Sequence, residues 1–233
     1  MLPQATKGSN TVKELGKAFS FPFKDPDWVT KFLIAVLFMF LCLIGIGFFV
    51  LAGYFIQVTQ RVMRREQNLM PDWSHIGIKF VIGFKFVVVY LLYLLPVFLL
   101  LAPVWVLAIL SAASDQPEVA GIVAMVYVFG AILLIVPYSL ALAVLMPIIA
   151  YRYAEHERIS EALDIGTVLA HFKINWQNTV IVALIVIGIE SFAAIGIIAF
   201  IVGVFFTLFY SYLVSAYLHG ALYLSVSHDG SNM

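Results

Sequence analysis

Apolar residues in this chain come in long runs set apart by short polar stretches. Lys and Arg fall in three groups, at 7–31, 61–85 and 152–173, and none occurs in 32–60, 86–151 or 174–233. Uncharged apolar runs of about 20 residues cross a bilayer as helices, and the basic residues flanking them stay on the cytoplasmic side. With every basic group cytosolic, the chain crosses an even number of times between groups. The gap at 86–151 then divides into a span over 86–110, an acidic outer turn from Ser111 to Glu118, and a return over 119–147. The last gap holds a second pair, at roughly 177–198 and 203–226.

The gap at 32–60 admits two readings. One helix over it would be ~43 Å long, against a hydrocarbon core of ~30 Å. A hairpin from Trp28 to Arg61 has arms of ~25 Å, workable if Lys31 and Arg61 snorkel. Gly45 and Gly47 lie at the midpoint, where a tight turn needs them. A single span would also place five lysines outside. The hairpin is therefore expected, giving six membrane segments, with five spans as the alternative.

Two stretches have a different period. Thr11–Ser20 puts Val12, Leu15, Gly16 and Phe19 on one helical face, and Arg158–Phe172 gathers Ile159, Ala162, Leu163 and Leu169 on another. Both predict amphipathic helices lying on the cytosolic membrane surface. Each ends near a tryptophan, Trp28 or Trp176, that opens an apolar run, and Pro71-Asp72-Trp73 repeats Pro26-Asp27-Trp28. The pattern predicts one all-α integral membrane domain over 1–233, made of three hairpin units at 11–66, 67–150 and 151–226. Trp28, Trp73 and Trp176 are then equivalent anchors at one headgroup level.

Composition agrees. Of 233 residues, 63% are hydrophobic and 11% charged, and mean hydropathy is +1.04. Net charge is zero, so no nucleic-acid partner is implied. Cys42 is the sole cysteine and excludes an intrachain disulfide. The first twenty residues are too polar for a cleavable signal peptide, so the first hydrophobic segment is expected to direct insertion.

Short motifs carry a resemblance. Phe23-Lys24-Asp25-Pro26-Asp27-Trp28, Gly53-Tyr54, Arg61–Glu66 with Leu69, Pro71 and Trp73, and Gly83-Phe84-Lys85 leading to Tyr93-Leu94-Leu95-Pro96 stand in this order. Together they resemble the prokaryotic membrane family called domain of unknown function 4013, in which Leu and Pro are usually adjacent where Met70 intervenes here. More remotely, a surface helix followed by a hairpin is similar to the membrane domain of some glycerophosphodiester phosphodiesterases. The resemblance implies a membrane domain and supplies no catalytic residue.

Candidate chemistry is sparse. Glu155-His156-Glu157 cannot close on one metal ion, because consecutive helical residues point ~100° apart. No phosphate loop, nucleophile triad or paired carboxylate is visible, and no cofactor is implied. Glu190 stands alone in an apolar stretch. With a hinge near Gly196–Gly203 it lies inside the bilayer, where Tyr210 or Tyr212 is expected to hydrogen-bond it; with a hinge at Gly188–Ser191 it is wetted at the outer surface. His219 is expected to bond a neighbouring backbone group or Tyr. Pro96, Pro103, Pro137 and Pro147 are expected to kink the middle pair.

Three functional classes remain. The leading one is a non-enzymatic scaffold or accessory subunit in the cytoplasmic membrane, with both termini cytosolic. Its partners are the lipid bilayer and a membrane protein or second copy. The alternative is a small-solute or lipid transporter or channel using the Glu190 carboxyl, and the third is a lipid-active enzyme.

Overall fold

The computed structural model describes residues 15–113, 117–195 and 201–230, and among them there is helix and no strand. Helix α1 (residues 15–20) passes through a 3-10 turn at Pro22–Lys24 into α2 (Trp28–Leu41), and the chain bends by 94° between them. Pro26 cannot continue a helix from Lys24, and Trp28 begins the apolar run that must leave the surface.

The stretch 32–60 is a hairpin, as its midpoint glycines predict. A 3-10 turn at Cys42–Ile44 and Gly45 lead into α3 (Ile46–Met63). The arms are antiparallel: Phe32 and Phe55 both pack on Phe209, while Lys31 and Arg61 both donate to the Met70 carbonyl. Gly45 has φ 84° and open space around it, so its demand is purely conformational. Gly45→Ala should therefore cost about 1–2 kcal/mol in detergent unfolding, the usual price of a left-handed non-glycine residue; an unchanged midpoint would show that the turn is not under this constraint.

Helices α4 (Ile76–Ala112) and α5 (Pro117–His156) form the second hairpin. Their 37 and 40 residues make them ~55 and ~60 Å long, about twice a bilayer core. Only the lower part belongs to the body. Between Val89 and Ala131 no described residue is buried; Tyr93 Oη still donates to the Ala162 carbonyl at 2.9 Å and Leu94 still packs on the core, and beyond them the two apolar helices form an arm. Two tyrosine hydroxyls tie the paired helices together near their prolines. A proline frees the carbonyl four residues before it, here those of Leu92 and Leu99, and the tyrosine bonds fall on the next carbonyl along. Tyr138 Oη donates to the Tyr93 carbonyl, three residues before Pro96, and Tyr127 Oη donates to that of Leu100, three before Pro103, at 2.8 Å. The four prolines lie within α4 and α5 without ending them.

The expected single amphipathic helix over 158–172 is instead two, α6 (Ile159–Ala162) and α7 (Ile165–Ile174). Asp164 caps α7 by accepting from the Thr167 amide at 3.2 Å, a local bond that competes with continuing the first helix. After a bend of 101° comes α8 (Trp176–Ile195), and then α9 (Ile201–Gly230). The middle unit has no counterpart to these surface helices, because 64–75 runs between α3 and α4 without helix apart from the end of the preceding turn.

Helices α3 and α9 form the centre. Thr59 Oγ1 donates to the Ala216 carbonyl at 3.0 Å, and Gly220 lies against Thr59 and Val62. Gly53 and Gly83 bring α3 and α4 into backbone contact. Four described helices are long and apolar enough to cross a membrane, and six segments result if each right-angled pair counts as one span. The chain is a polytopic helical membrane protein.

Candidate functional site

Three polar regions stand out: one within the apolar body, one at its basic end, and one between α5 and the helices α6 and α7. In the first, Glu190 lies inside α8, which runs on through Ser191 to Ile195. The alternative hinge at Gly188–Ser191 therefore does not occur, and Ser191 Oγ bonds the Ile187 carbonyl within the helix at 2.7 Å. The other hinge considered, Gly196–Gly203, falls largely outside the described residues. Glu190 is half-buried, and Tyr212 of α9 lies within electrostatic reach of it, as of Tyr90 and Cys42. Among the described residues its carboxyl has no hydrogen-bond partner.

Tyr210 is elsewhere. Residues two apart on a helix point about 200° away from each other, so Tyr210 turns from Glu190 and donates to the Phe19 carbonyl at 2.8 Å, fastening α1 to α9. His219 also lies apart from Glu190, with its Nε2 enclosed and unpartnered. The bond expected for that ring to backbone or Tyr is absent at this nitrogen. The structure thus brings together Glu190 and Tyr212, but neither Tyr210 nor His219 joins them.

The tryptophans also part company. Trp28 and Trp176 each begin a helix at a right-angled bend, and Trp176 is 53% exposed. Trp73 is a wedge rather than a third anchor of that kind. Its ring is stacked between Phe38 at 4.9 Å and Tyr54 at 4.4 Å, and its Nε1 donates to the Lys31 carbonyl at 3.0 Å.

That wedge belongs to the second polar region, which sequence reasoning missed. Lys31 Nζ is 2.7 Å from Asp25 Oδ2, with both side chains buried, and donates to the Met70 carbonyl at 3.0 Å. Arg61 bonds the carbonyls of Asn68 and Met70. Asp72 adds a weaker contact to Lys31 at 3.6 Å, and Lys79 donates to the Ser74 carbonyl at 2.6 Å. The knot ties α2, α3 and the loop 64–75 at one end of the hairpin. One signal was available: Lys31 is the only charge within α2, and an enclosed lysine needs an anion. A snorkelling Lys31 was expected; a buried ion pair is found.

A third group joins α5 to the surface helices. Arg152 Nη2 binds Glu161 at 2.8 Å, and Tyr223 Oη donates to Glu155 at 2.9 Å. Tyr151 Oη lies 2.8 Å from His171 Nδ1, with the two rings stacked. Burial, aided by Arg152 and opposed by Glu155, holds the His171 imidazole below its ordinary 6.5. The folded state then disfavours the proton that the unfolded state accepts, so stability is full above about pH 6.5 and falls as pH drops towards the lower folded value. The expected result is a melting temperature that declines below pH 6.5 in the native chain and declines less in His171→Phe; identical pH profiles would overturn this assignment. Asp164 is held below its usual carboxylate value by its bonds to Thr167.

Among the described residues no group of three His, Cys, Asp or Glu is placed to hold a metal ion. The family model described as "Protein of unknown function (DUF4013)" matches residues 34–205. No curated protein and no solved structure matches.

Proposed function

Since the chain belongs to the DUF4013 family, whose description leaves function open, we propose from its geometry that it is a non-enzymatic subunit of a membrane complex. The observation that carries this reading is the arm. No described residue of its helices is fully buried between Val89 and Ala131, and beyond Leu94 none packs on the core, whereas the rest of the molecule is packed and tied by buried polar contacts. Membrane helices associate by close packing and interhelical hydrogen bonds, and an apolar arm standing clear of its own body offers a long surface for a second embedded chain. The reading places the basic end of the body at the cytosolic face of the cytoplasmic membrane, following the distribution of Lys and Arg.

Photocrosslinking tests it. A crosslinker on Ile109 or Met125, both on the arm, is expected to capture another protein chain in native membranes, while one on Leu33 or Leu184 of the body captures lipid. Equal capture at all four exposed positions would remove the argument. Single cysteines in a Cys42→Ala background test orientation: Asp115→Cys should label from outside intact cells, and Asn68→Cys should not.

One observation favours a second reading, a transporter or channel. Glu190 is half-buried in the body with Tyr212 within electrostatic reach and no ion pair among the described residues, and a titratable group in that setting suits proton-coupled movement of a solute. Glu190→Gln would abolish such coupling while leaving the fold intact.

A further inference from the structure

We infer that the α2–α3 hairpin is re-entrant: its tip inserts among the acyl chains of the cytosolic leaflet and returns without reaching the outer surface. Only the cytosolic placement of the basic end, proposed above, is assumed. Helix α3 is long enough to cross by itself, but its height against α4 stops it short. Gly83 of α4 lies against the Phe49 carbonyl and the Gly53 amide of α3, and the Phe49 and Phe84 rings are 5.4 Å apart. From Phe49 to Gly45 the helix rises a further ~6 Å. The hairpin therefore ends about level with Val87 of α4.

The arm fixes where the bilayer lies. Above Val87, α4 continues to Ala112, a further ~38 Å, with Leu99, Trp105 and Ile109 exposed. A hairpin tip at the outer surface would leave this length in water, an apolar patch far larger than soluble surfaces carry. The bilayer must instead enclose the arm, and Trp105 and Lys85 mark its edges. Tryptophan prefers the headgroup level and lysine the cytosolic boundary. Both residues are exposed, and they lie ~30 Å apart along α4, the thickness of a hydrocarbon core. With Lys85 at the cytosolic edge, the tip is ~3 Å inside the core, and snorkelling by Lys85 deepens it by about one turn. Either depth falls short of the midplane, ~15 Å in.

The side chains of the tip suit lipid. A turn that emerges into water carries polar residues, as the sequence between α4 and α5 does with Ser114, Asp115 and Gln116. Cys42-Leu43-Ile44-Gly45-Ile46 has no charged, amide or hydroxyl side chain. Leu43 is nonetheless 88% exposed, and Ile44, Ile46 and Phe48 are exposed beside it. The backbone is satisfied within the turn: the Gly45 amide donates to the Cys42 carbonyl at 2.9 Å, and the Cys42 amide to carbonyls of α2. Such a turn can lie at the boundary of headgroups and acyl chains, where apolar faces bury about 5–10 Å deep. Below the tip, the exposed Leu33, Leu37 and Phe40 continue the apolar flank along α2.

A depth profile tests this placement. The full chain carrying Cys42→Ala receives one further change, Leu43→Cys, Ile78→Cys, Leu95→Cys or Val106→Cys, and each thiol is labelled with bimane. All four positions are exposed, so the labelled chains should melt as the native one does. They are reconstituted in phosphatidylcholine nanodiscs with nitroxide lipids that quench either near the headgroup or near the end of the acyl chain. The deep nitroxide should quench Leu95→Cys more than the shallow one, and the order should reverse at Leu43→Cys and Val106→Cys. Ile78→Cys should be quenched least by the deep one. A hairpin that reaches the outer surface moves the deepest point down α4 to Ile78→Cys and leaves Leu95→Cys and Val106→Cys in water. That profile, or a Leu43→Cys label as deep as that of Leu95→Cys, would overturn the re-entrant assignment. Orientation is read separately, by an impermeant thiol reagent on intact cells. Failure of Asp115→Cys to label there, with the depth profile intact, would overturn only the choice of the cytosolic leaflet.

Discussion

Lys31→Met will cost about 3–5 kcal/mol of stability, the loss typical when one partner of a buried ion pair is removed. The ammonium is 2.7 Å from Asp25, and the side chains of the pair are 6% and 4% exposed. Methionine fills similar space but leaves the Asp25 carboxylate without its cation and the Met70 carbonyl with only the longer bond from Arg61, at 3.3 Å. The damage should spread along the loop, since Met70 is buried and Trp73 hangs from the Lys31 carbonyl between Phe38 and Tyr54. Asp25→Asn in the Lys31→Met background should recover part of the loss, because the stranded charge is then gone. Unfolding of the four chains of this cycle in detergent gives the coupling energy. Additive losses would mean that the two side chains do not act as a pair.

Gly53→Ala and Gly83→Ala will each destabilise the α3–α4 contact by about 1–3 kcal/mol or more, the range for forcing extra volume into a filled interface. A Cβ on Gly53 would come 1.8 Å from the Lys79 carbonyl oxygen, and one on Gly83 would come 1.8 Å from that of Phe49. These obstructions are backbone, so no rotamer change relieves them and the helices must separate. The same substitution at Gly121 or Gly130 on the arm meets nothing within 4 Å. Alanine there should be neutral or mildly stabilising, by up to ~1 kcal/mol, since glycine is the poorer helix former. Thermal unfolding of the four variants separates the cases, and similar losses at all four sites would argue against close α3–α4 packing.

Why Gly53 and Gly83 matter was not legible in the sequence, although both stand in the motifs that carry the family resemblance. A glycine in an apolar run has the same local signature whether it faces lipid or another backbone. Glu190 shows the same limit from the polar side. Its isolation among apolar residues marked it as unusual, but which tyrosine would lie nearer depended on the rotation of α9, and Tyr210 turns away to bond Phe19 while Tyr212 stays within electrostatic reach. The Lys31–Asp25 pair was hidden for another reason: Asp25 lies across a helix bend from Lys31, so no helical spacing relates them.

The sequence by itself determined that the chain is helical and lies in a membrane, and it favoured a turn near Gly45 and Gly47 over one long span. Those properties rest on local physics: long apolar runs must satisfy their backbone internally as helices, basic residues segregate to one end, and a glycine permits a left-handed turn. The tertiary structure decided what depends on the rotation and tilt of one helix against another. It set the backbone contact of Gly53 with α4, the burial of Lys31 against Asp25 under Met70, the wedging of Trp73, and the projection of the arm beyond Leu94. An apolar face looks alike to lipid and to protein, so hydropathy leaves that rotation open, and only packing between helices resolves it.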